Sequence, residues 1–415
     1  MEGKDYMNIF VLNCGSSSLK FQLINIENEE VIANGLVEKI SESISDFKYY
    51  TKNKVELEIK MEIPDHKNAI QLVLERLISS EHGVINDFDD IDIVGHRVVH
   101  AGEKFSGSVL ITKEVINALK ENIKLAPLHN PANIVGIEAS KKLMPNTPDV
   151  GIFDTAFHQS MPKESYLYAL PYQWYQENGV RRYGFHGTSH KYVTERGAEL
   201  LKKDYDSLKI ISCHLGNGAS IAAVDQGRVI DTSMGFTPLE GLVMGTRPGD
   251  FDPGIISYIM QERNLSIEEI DEILNKESGV LALSGISNDF REISEAAEAG
   301  NDRAQLALDI FCRRVKKYIG AYAALLGGVD LLIFTAGIGE NAVNIRAKIL
   351  AELEYFGIII DPEKNNIQGK EAKISAKTSI VDVYVIPTNE ELVIAREAKK
   401  VIEQEIETII KDILK

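Results

Sequence analysis

The sequence contains little cysteine and a deficit of positive charge. Its three cysteines, Cys14, Cys213 and Cys312, are far apart and form no CxxC pair, so a disulfide framework is excluded and a reducing compartment is expected. Lys and Arg number 45 against 62 Asp and Glu, which gives a formal net charge of −17. Because binding to a phosphate backbone needs a basic surface that releases counterions, this balance argues against a nucleic-acid partner.

The chain also lacks an uninterrupted apolar run long enough to cross a membrane. The longest apolar stretch, residues 319–336, contains Gly327, Gly328 and Asp330. This pattern predicts a helix that ends at the glycine pair and a buried strand after it, and no membrane partner. Residues 1–5 are polar and carry no signal pattern, so a cytoplasmic location is expected.

Several catalytic motifs are absent, namely GxxxxGK[ST], GxSxG and HExxH. What is present is an ordinary globular composition, 415 residues with 44% hydrophobic and 26% charged residues, enough for two or three domains. Short apolar strands alternate with amphipathic helices along most of the chain, which predicts an α/β fold. Thr388 and Glu391 have the spacing of a capping box, which predicts that Thr388 caps the C-terminal helix.

The two halves of the chain contain similar segments. Residues 10–32 read FVLNCGSSSLKFQLINIENEEVI, and residues 209–230 read KIISCHLGNGASIAAVDQGRVI. Each is an apolar strand, a turn of small residues, a second strand, a polar turn and a third strand. Because each segment begins one half of the chain, we interpret the similarity as a duplication, which places a ligand between two related halves.

Turns of small residues, Gly and Ser among them, follow three of the predicted strands, at residues 14–20, 214–218 and 336–341. Gly and Ser let the backbone approach a ligand closely, and successive N–H groups can surround an anion. A single turn of this kind is most often a plain hairpin. Three of them in a duplicated chain favour a nucleotide phosphate site.

One of these turns also fits a different fold. Gly337, Gly339 and Ala342 have the spacing of the dinucleotide-binding fingerprint, with Asp361 further along the chain. In a dehydrogenase, however, that turn begins a βαβαβ half, whereas only one clear strand and a final helix follow here. The dinucleotide interpretation is therefore the less favoured alternative.

Two histidines have the spacing of metal ligands on a helix, His186 and His190. Gly187 and the hydroxyl residues after it look like a helix start, which places His186 before the helix. We therefore expect the two imidazoles to diverge and His186 to face a substrate or the protein rather than zinc.

Charged residues also follow predicted strands or lie in loops that contain Gly and Pro. Arg97 lies among small residues, Arg247 lies in the loop MGTRPGD, and Asp154 follows the strand at 150–153. Any one of these could form an ordinary surface ion pair. Their positions at strand ends, the usual edge for active sites of α/β proteins, favour a functional role only modestly.

Together these segments closely resemble the acetate kinase family. The matching motifs are LNCGSSSLKF, GHRVVHAG, FDTAFH, RRYGFHGTSH, SCHLGNGAS, MGFTPLEGLVMGTRPGDFDPG, NDFRE, FTAGIGEN and IPTNEE, which run from Met7 to about Arg396. The resemblance implies an α/β fold of two duplicated ribonuclease-H-like domains, the actin-like ATPase fold, with an active-site cleft between them. The implied domains are residues 1–154 completed by the C-terminal helix 388–415, and residues 155–387, which carry most of the nucleotide site.

The resemblance also implies a set of site residues. The catalytic residues would be Asp154, His186, Arg247 and Arg97, of which Asp154 is the family's active-site carboxylate and His186 and Arg247 stabilise the transition state. Acetate would contact Arg97 and an apolar pocket of Val99, Leu128, Phe185 and Pro238. The nucleotide would contact Lys20, His214, Leu215, Gly216, Asn217, Gly218, Asp289, Phe290, Arg291, Gly337, Ile338, Gly339, Glu340 and Asn341. Mg²⁺, or alternatively Mn²⁺, would be held by Asn13 and Glu390.

The implied reaction is reversible in-line transfer of a phosphoryl group from ATP to acetate, giving acetyl phosphate and ADP, by a homodimer. A carboxylate with a pKa of about 4 to 5 is already ionised at pH 7, so it needs no base. We therefore expect Asp154 to orient Mg²⁺ or Arg97 rather than to remove a proton. Two alternatives stay open at this point: a kinase for propionate or another short-chain acid, and a chaperone-type ATPase of the same superfamily.

Overall fold

The computed structural model describes residues 6–52, 56–126 and 129–414. The chain forms two compact units, of which unit 1 comprises residues 1–157 and 389–415 and unit 2 comprises residues 158–388. The domain boundaries expected from the sequence lie between residues 154 and 155 and between residues 387 and 388.

Unit 1 is built on a mixed sheet covered by helices. Its strands are β1 (Asn8–Cys14), β2 (Ser18–Asn25), β3 (Glu30–Glu38), β4 (Ser45–Thr51), β5 (Glu56–Met61), β6 (Ile93–Val98), β7 (Val109–Leu110) and β8 (Asp149–Phe153). Its helices are α1 (His66–Leu77), α2 (Lys113–Glu121), α3 (Asn130–Leu143) and the C-terminal helix α15 (Glu390–Ile413). The strand order is β5-β4-β3-β2-β1-β6-β8-β7.

Unit 2 contains a second mixed sheet. Its strands are β9 (Lys209–Leu215), β10 (Ala219–Asp225), β11 (Arg228–Thr232), β12 (Leu331–Thr335), β13 (Ala372–Lys373) and β14 (Asp382–Val385), in the order β11-β10-β9-β12-β14-β13. Its helices are α4 (Lys163–Tyr166), α5 (Tyr172–Asn178), α6 (Gly187–Leu201), α7 (Gly254–Arg263), α8 (Ile267–Lys276), α9 (Gly279–Ser284), α10 (Phe290–Glu298), α11 (Asp302–Leu326), α12 (Ala336–Asn341), α13 (Val343–Leu350) and α14 (Pro362–Asn365).

The two sheets share one topology, which confirms the duplication inferred from the sequence. In unit 1, β3, β2 and β1 are antiparallel neighbours and β1, β6 and β8 are parallel. In unit 2, β11, β10 and β9 are antiparallel neighbours and β9, β12 and β14 are parallel. The two similar sequence segments form the three antiparallel strands in each unit. The α/β prediction is confirmed as well.

The apolar stretch at 319–336 has the predicted structure. Helix α11 ends at Leu326, and Gly327 takes the left-handed conformation with φ 63° that closes the helix. Strand β12 then runs entirely buried through the sheet. Within the part of the chain that the structure describes, no helix combines the length and apolar character that a membrane crossing needs.

The face of the first sheet that carries Arg97 is covered by α15. A Cβ on Gly95 would come within 2.8 Å of Ile394 Cγ2 on that helix, so the helix packs directly against the strand and only glycine fits. Gly95 pairs with Val11, and side chains two residues apart share a face of a strand. Asn13 and Arg97 therefore lie on the α15 face.

Candidate active site

Three polar side chains form a row across the first sheet. Lys20 on β2 pairs with Asn13 on β1, and Asn13 pairs with Arg97 on β6. Paired residues project from the same face of a sheet. Asn13 and Arg97 also stand at the carboxyl ends of parallel strands, the edge at which α/β proteins place ligands. Sequence positions 13, 20 and 97 are thus brought together by strand register alone.

Arg97 is the centre of a charged cluster in unit 1. Its Nη2 lies 3.3 Å from Asp154 Oδ2, and its Nε lies 3.8 Å from Glu390 Oε2. Burial by itself would lower the pKa of Arg97, but the carboxylates of Asp154 and Glu390 outweigh it and raise that pKa above its usual value. The Nε–H is buried and has no hydrogen-bond partner among the residues that the structure describes. Arg97 is therefore held in its charged form, and its Nε–H is available to donate a hydrogen bond to a ligand.

Asp154 is almost completely buried, with 1% of its side chain exposed. It follows β8 directly, and its backbone N–H donates to the Val98 carbonyl at 2.8 Å. A carboxylate that is buried against a guanidinium is stabilised in its ionised form. The geometry thus fits an orienting role toward Arg97.

The first turn of α15 contributes two acidic residues, Glu390 and Glu391. Glu391 is buried and its Oε1 lies 2.6 Å from Lys20 Nζ. The prediction of Thr388 as the helix cap was wrong, because the side chain of Asn389 accepts the N–H of Leu392 instead. Glu391 was missed as a partner of Lys20, since its pairing depends on which way α15 crosses the sheet.

In unit 2, His186 stands immediately before α6 in the left-handed conformation, with φ 58°. Its ring stacks on that of His214 with centroids 4.1 Å apart. The expectation that His186 and His190 diverge was wrong, because both imidazoles contact the hydroxyl of Ser220, at 2.9 and 2.8 Å. The left-handed residue turns the His186 ring back over the helix start.

Arg247 lies beside the same turn of small residues. A Cβ on Gly218 would lie 3.4 Å from His186 Nε2 and 3.9 Å from Arg247 Nη1, so both groups flank this glycine. Arg247 donates to the Pro238 carbonyl at 3.1 Å. Burial lowers the pKa of Arg247, and among the described residues no ion pair with a carboxylate offsets it. Such a cation is suited to an anionic ligand.

A cavity of about 1020 Å³ opens in unit 2 next to this turn. Eight of the predicted nucleotide-binding residues line it, namely Gly216, Asn217, Asp289, Phe290, Arg291, Gly337, Ile338 and Asn341. Asn288 and Ser294 also line the cavity and were not predicted. Its volume matches that of sites for small organic ligands.

The other predicted nucleotide residues of unit 2 do not line this cavity. Leu215 is buried within β9, and the His214 imidazole contacts the Ser189 hydroxyl at 2.8 Å. The Glu340 carboxylate accepts the N–H groups of Ala336 and Thr388, at 2.8 and 3.2 Å. The Glu340 carboxylate therefore links the backbone at the start of α12 to the backbone at Thr388.

Gly339 is held in place by its carbonyl, which accepts a hydrogen bond from the buried Arg346 at 2.9 Å. Arg346 also donates to the carbonyls of Asn365 and Ile367, each at 2.8 Å. It thereby ties the wall of the cavity to the turn after β12. Nothing in the sequence distinguishes Arg346 from a surface arginine, so it was missed.

The residues expected to form the acetate pocket belong to different parts of the chain. Val99 follows β6 in unit 1 and is 2% exposed, and its N–H donates to Asn133 Oδ1 at 3.1 Å. Phe185 is buried and Pro238 half-buried in unit 2. Leu128 lies outside the described residues.

Comparisons with known proteins agree along nearly the whole chain. The family model described as the Acetokinase family matches residues 8–396. The acetate kinase of Halothermothrix orenii is 57% identical over 397 residues, covering 96% of this chain and 100% of the relative. That of Natranaerobius thermophilus is 56% identical over 393 residues, covering 95% and 99%.

Solved structures give the same result. The crystal structure of Porphyromonas gingivalis acetate kinase matches with a TM-score of 0.91 and 49% identity, covering 95% of this chain and 100% of that one. A propionate kinase from Francisella tularensis matches with a TM-score of 0.89 and 44% identity, with the same coverage.

Proposed function

Because the chain belongs to the acetokinase family, we propose that it is an acetate kinase, which transfers the γ-phosphoryl group of ATP to acetate and gives acetyl phosphate and ADP. The observation that carries this proposal is the similarity to acetate kinases at 57% identity over 96% of the chain. The cluster around Arg97 and the cavity of unit 2, which the turns at 214–218 and 336–341 help to line, support it, since they supply a cation for a small acid and a space for a nucleotide.

The reaction forms a bond between a carboxylate oxygen of acetate and the γ-phosphorus, and it breaks the bond from that phosphorus to the bridging oxygen. The electron pair of the broken bond stays on ADP. Since acetate is already an anion, no proton has to be removed, and catalysis depends on positioning and on stabilising charge. Arg97 would bind the acetate carboxylate, and Asp154 would hold the guanidinium in place. His186 and Arg247 would stabilise charge on the transferring group.

The residues proposed to hold Mg²⁺, or Mn²⁺ in its place, fit a hard cation. Asn13 and Glu390 offer oxygen atoms, and Glu390 lies by Arg97, the register partner of Asn13. Among the described residues no group of three or more His, Cys, Asp or Glu side chains is arranged to hold a metal. Mg²⁺ commonly takes only one or two protein ligands beside phosphate oxygens and water, so this sparse set fits. When bound, Mg²⁺ would neutralise charge on the nucleotide phosphates.

Trapping the product tests the proposed function. The purified chain is incubated with ATP, Mg²⁺ and acetate, and acetyl phosphate is captured with hydroxylamine as the hydroxamate. We expect hydroxamate to form in step with ADP. Release of ADP without hydroxamate would reject acetate kinase activity and favour the ATPase alternative.

Propionate is the second candidate substrate, because a propionate kinase matches the fold at 44% identity. The same assay with propionate compares the two acids directly. A higher kcat/KM for propionate would reassign the substrate while leaving the reaction type unchanged.

Two further properties belong to the proposal and are supported by the resemblance to the family, namely a homodimer and a cytoplasmic location. Light scattering would report on the assembly by giving twice the 46.1 kDa of one chain. A monomer at assay concentration would reject the dimer.

We expect Glu390→Gln to raise the Mg²⁺ concentration that gives half-maximal activity. The substitution removes a charged oxygen ligand while Asn389 still caps the helix. The loss of stability should be limited to a helix-dipole contact and the 3.8 Å ion pair with Arg97, each worth up to about 1 kcal/mol. Titration of activity with Mg²⁺ measures the effect. Glu397→Gln serves as the control, because that side chain lies further along α15 and accepts the Ser108 hydroxyl at 2.8 Å. An unchanged Mg²⁺ dependence in Glu390→Gln would contradict a role in metal binding and leave Glu390 a helix-start residue that pairs with Arg97.

We expect Val99→Ala to narrow the ratio of kcat/KM for acetate over propionate, chiefly by lowering KM for propionate. One methylene in an apolar pocket changes the discrimination by only about 1 to 3 kcal/mol, so propionate should be a poorer substrate rather than an excluded one. Val94→Ala is the matched control, because Val94 is a fully buried valine of the unit 1 core. If both variants lose stability and lower kcat/KM for acetate and propionate by the same factor, Val99 is an ordinary core residue.

A further inference from the structure

A seam of buried hydroxyl and imidazole groups joins α6 to the second sheet. Ser212 and His214 share one face of β9, and Ser220 on β10 is the register partner of His214. His190 faces them from α6, and His190, Ser212 and Ser220 are fully buried. A contact between a helix and a sheet is usually apolar, so a fully polar seam at this place needs a reason.

The groups of the seam form a continuous hydrogen-bonded chain that leads to His186. Ser212 Oγ lies 2.9 Å from His190 Nδ1, and His190 Nε2 lies 2.8 Å from Ser220 Oγ. Ser220 Oγ lies 2.9 Å from His186 Nδ1. The Nε2 of His186 is the ring nitrogen that approaches Gly218, next to Arg247. The chain therefore connects the interior of unit 2 to the residue proposed to act on the phosphoryl group.

His190 carries a single proton. Its pKa lies well below 6.5, because burial penalises the cation and the neighbouring His158 and His214 disfavour it further. A neutral imidazole donates from one nitrogen and accepts at the other. Since each nitrogen of His190 faces one serine hydroxyl, a chain in which every hydroxyl and imidazole both donates and accepts can have its protons in only two directions.

We infer that Ser220, held by His190, is a positioning residue that keeps the proton of His186 on Nε2. In this arrangement Ser212 donates to His190 Nδ1, His190 Nε2–H donates to Ser220, and the Ser220 hydroxyl donates to His186 Nδ1. His186 Nε2–H then points toward Gly218 and Arg247. This inference rests on the proposed function, since it assumes that an anionic phosphoryl group binds there.

The opposite direction of the chain is electrostatically poor for that function. It would place the proton of His186 on Nδ1 and leave a lone pair on Nε2, facing the oxygens of an incoming phosphoryl group. A donor at this position stabilises developing negative charge, whereas a lone pair repels it. Bonds that all point the same way also reinforce one another in a buried site.

The competing explanation is that the seam only braces α6 against the sheet. Both explanations predict a loss of stability when the Ser220 hydroxyl is removed, so stability alone does not separate them. The two explanations differ in the tautomer of His186. If the seam only packs α6 against the sheet, either tautomer can form, whereas the hydrogen-bonded chain fixes one tautomer.

The decisive measurement is the imidazole ¹⁵N spectrum of the full chain, with the His186 signals assigned by comparison with His186→Asn. We expect a neutral His186 protonated on Nε2 in the wild type, and a mixture of tautomers in Ser220→Ala. In the same variant kcat for acetyl phosphate formation should fall by about 10- to 100-fold, with KM for ATP within about twofold, because one aligned donor is weakened. Ser220→Thr, which keeps the hydroxyl, should restore the Nε2–H tautomer.

Ser375→Ala is the matched control, because Ser375 is an equally buried serine of unit 2 whose hydroxyl accepts the Val383 N–H at 3.1 Å. It should lose stability and keep both kcat and the His186 tautomer. A wild-type His186 protonated on Nδ1 would overturn the inference even if Ser220→Ala failed to fold, and so would an unchanged tautomer in Ser220→Ala. A wild type that shows the Nε2–H tautomer but makes no acetyl phosphate would reject the proposed function. The inferred direction of the hydrogen bonds from Ser212 to His186 would still hold.

Discussion

Replacing Arg247 by alanine is expected to lower kcat/KM for acetate by about 10³- to 10⁵-fold, the effect of losing a transition-state arginine in phosphoryl transfer. The melting temperature should change little. Arg247 forms no ion pair with a carboxylate of the described residues, and burial lowers its pKa. Removing Arg247 therefore leaves no buried carboxylate of the described residues without its partner. Steady-state kinetics and a thermal melt on the same preparation measure both quantities.

Arg196→Ala is the control for the loss of an arginine from unit 2. Arg196 lies on α6 and pairs with Glu371 and Glu199, each at 2.8 Å, away from the cavity. The variant should lose about 0.2 to 1 kcal/mol of stability for each of these two ion pairs and keep its activity. A folded Arg247→Ala with kcat/KM near that of the wild type would remove Arg247 from the catalytic set.

Replacing Arg97 by alanine is expected to reduce kcat/KM by a similar factor of about 10³ to 10⁵, and here stability should fall as well. Asp154, with 1% of its side chain exposed, would lose the guanidinium 3.3 Å away. Removing one partner of a buried ion pair is strongly destabilising, by up to about 3 to 5 kcal/mol. Kinetics and thermal unfolding together distinguish this pattern from that of Arg247→Ala.

The double variant Arg97→Ala with Asp154→Asn separates the two roles of Arg97. Removing the buried charge should recover part of the lost stability, whereas activity should stay low because the acetate-binding cation is still missing. A double variant that regains activity along with stability would show that Arg97 acts only by holding Asp154, and it would contradict a role in binding acetate.

The motifs located most of the candidate site because they lie in short, local structures. Glycine turns after strands depend on a few neighbouring residues, so the segments at 214–218 and 336–341 could be found without tertiary information. Eight predicted residues do line one cavity of unit 2. Glu391, Asn288 and Arg346 were missed because a glutamate in the first turn of a helix, an asparagine in a loop and an arginine on a helix are common everywhere.

The two wrong local predictions have a similar origin. Thr388 has the spacing of a capping box, yet the helix starts one residue later and Asn389 caps it. His186 was correctly placed before α6, but its left-handed backbone turns the ring toward Ser220, where His190 also points. Spacing along the chain contains neither the residue at which a helix starts nor the backbone dihedral of His186.

The sequence by itself determined the α/β class, the duplication and the family, because hydrophobic periodicity and turn residues act over short distances and repeat in each half. The tertiary structure alone decided which charges are paired. Register places Asn13 between Lys20 and Arg97, and the approach of α15 over Gly95 brings Glu390 and Glu391 to that row. Such pairings depend on distances of 2.6 to 3.8 Å between residues that are 57 to 371 positions apart in the chain. Only the packing of helix against sheet fixes those distances.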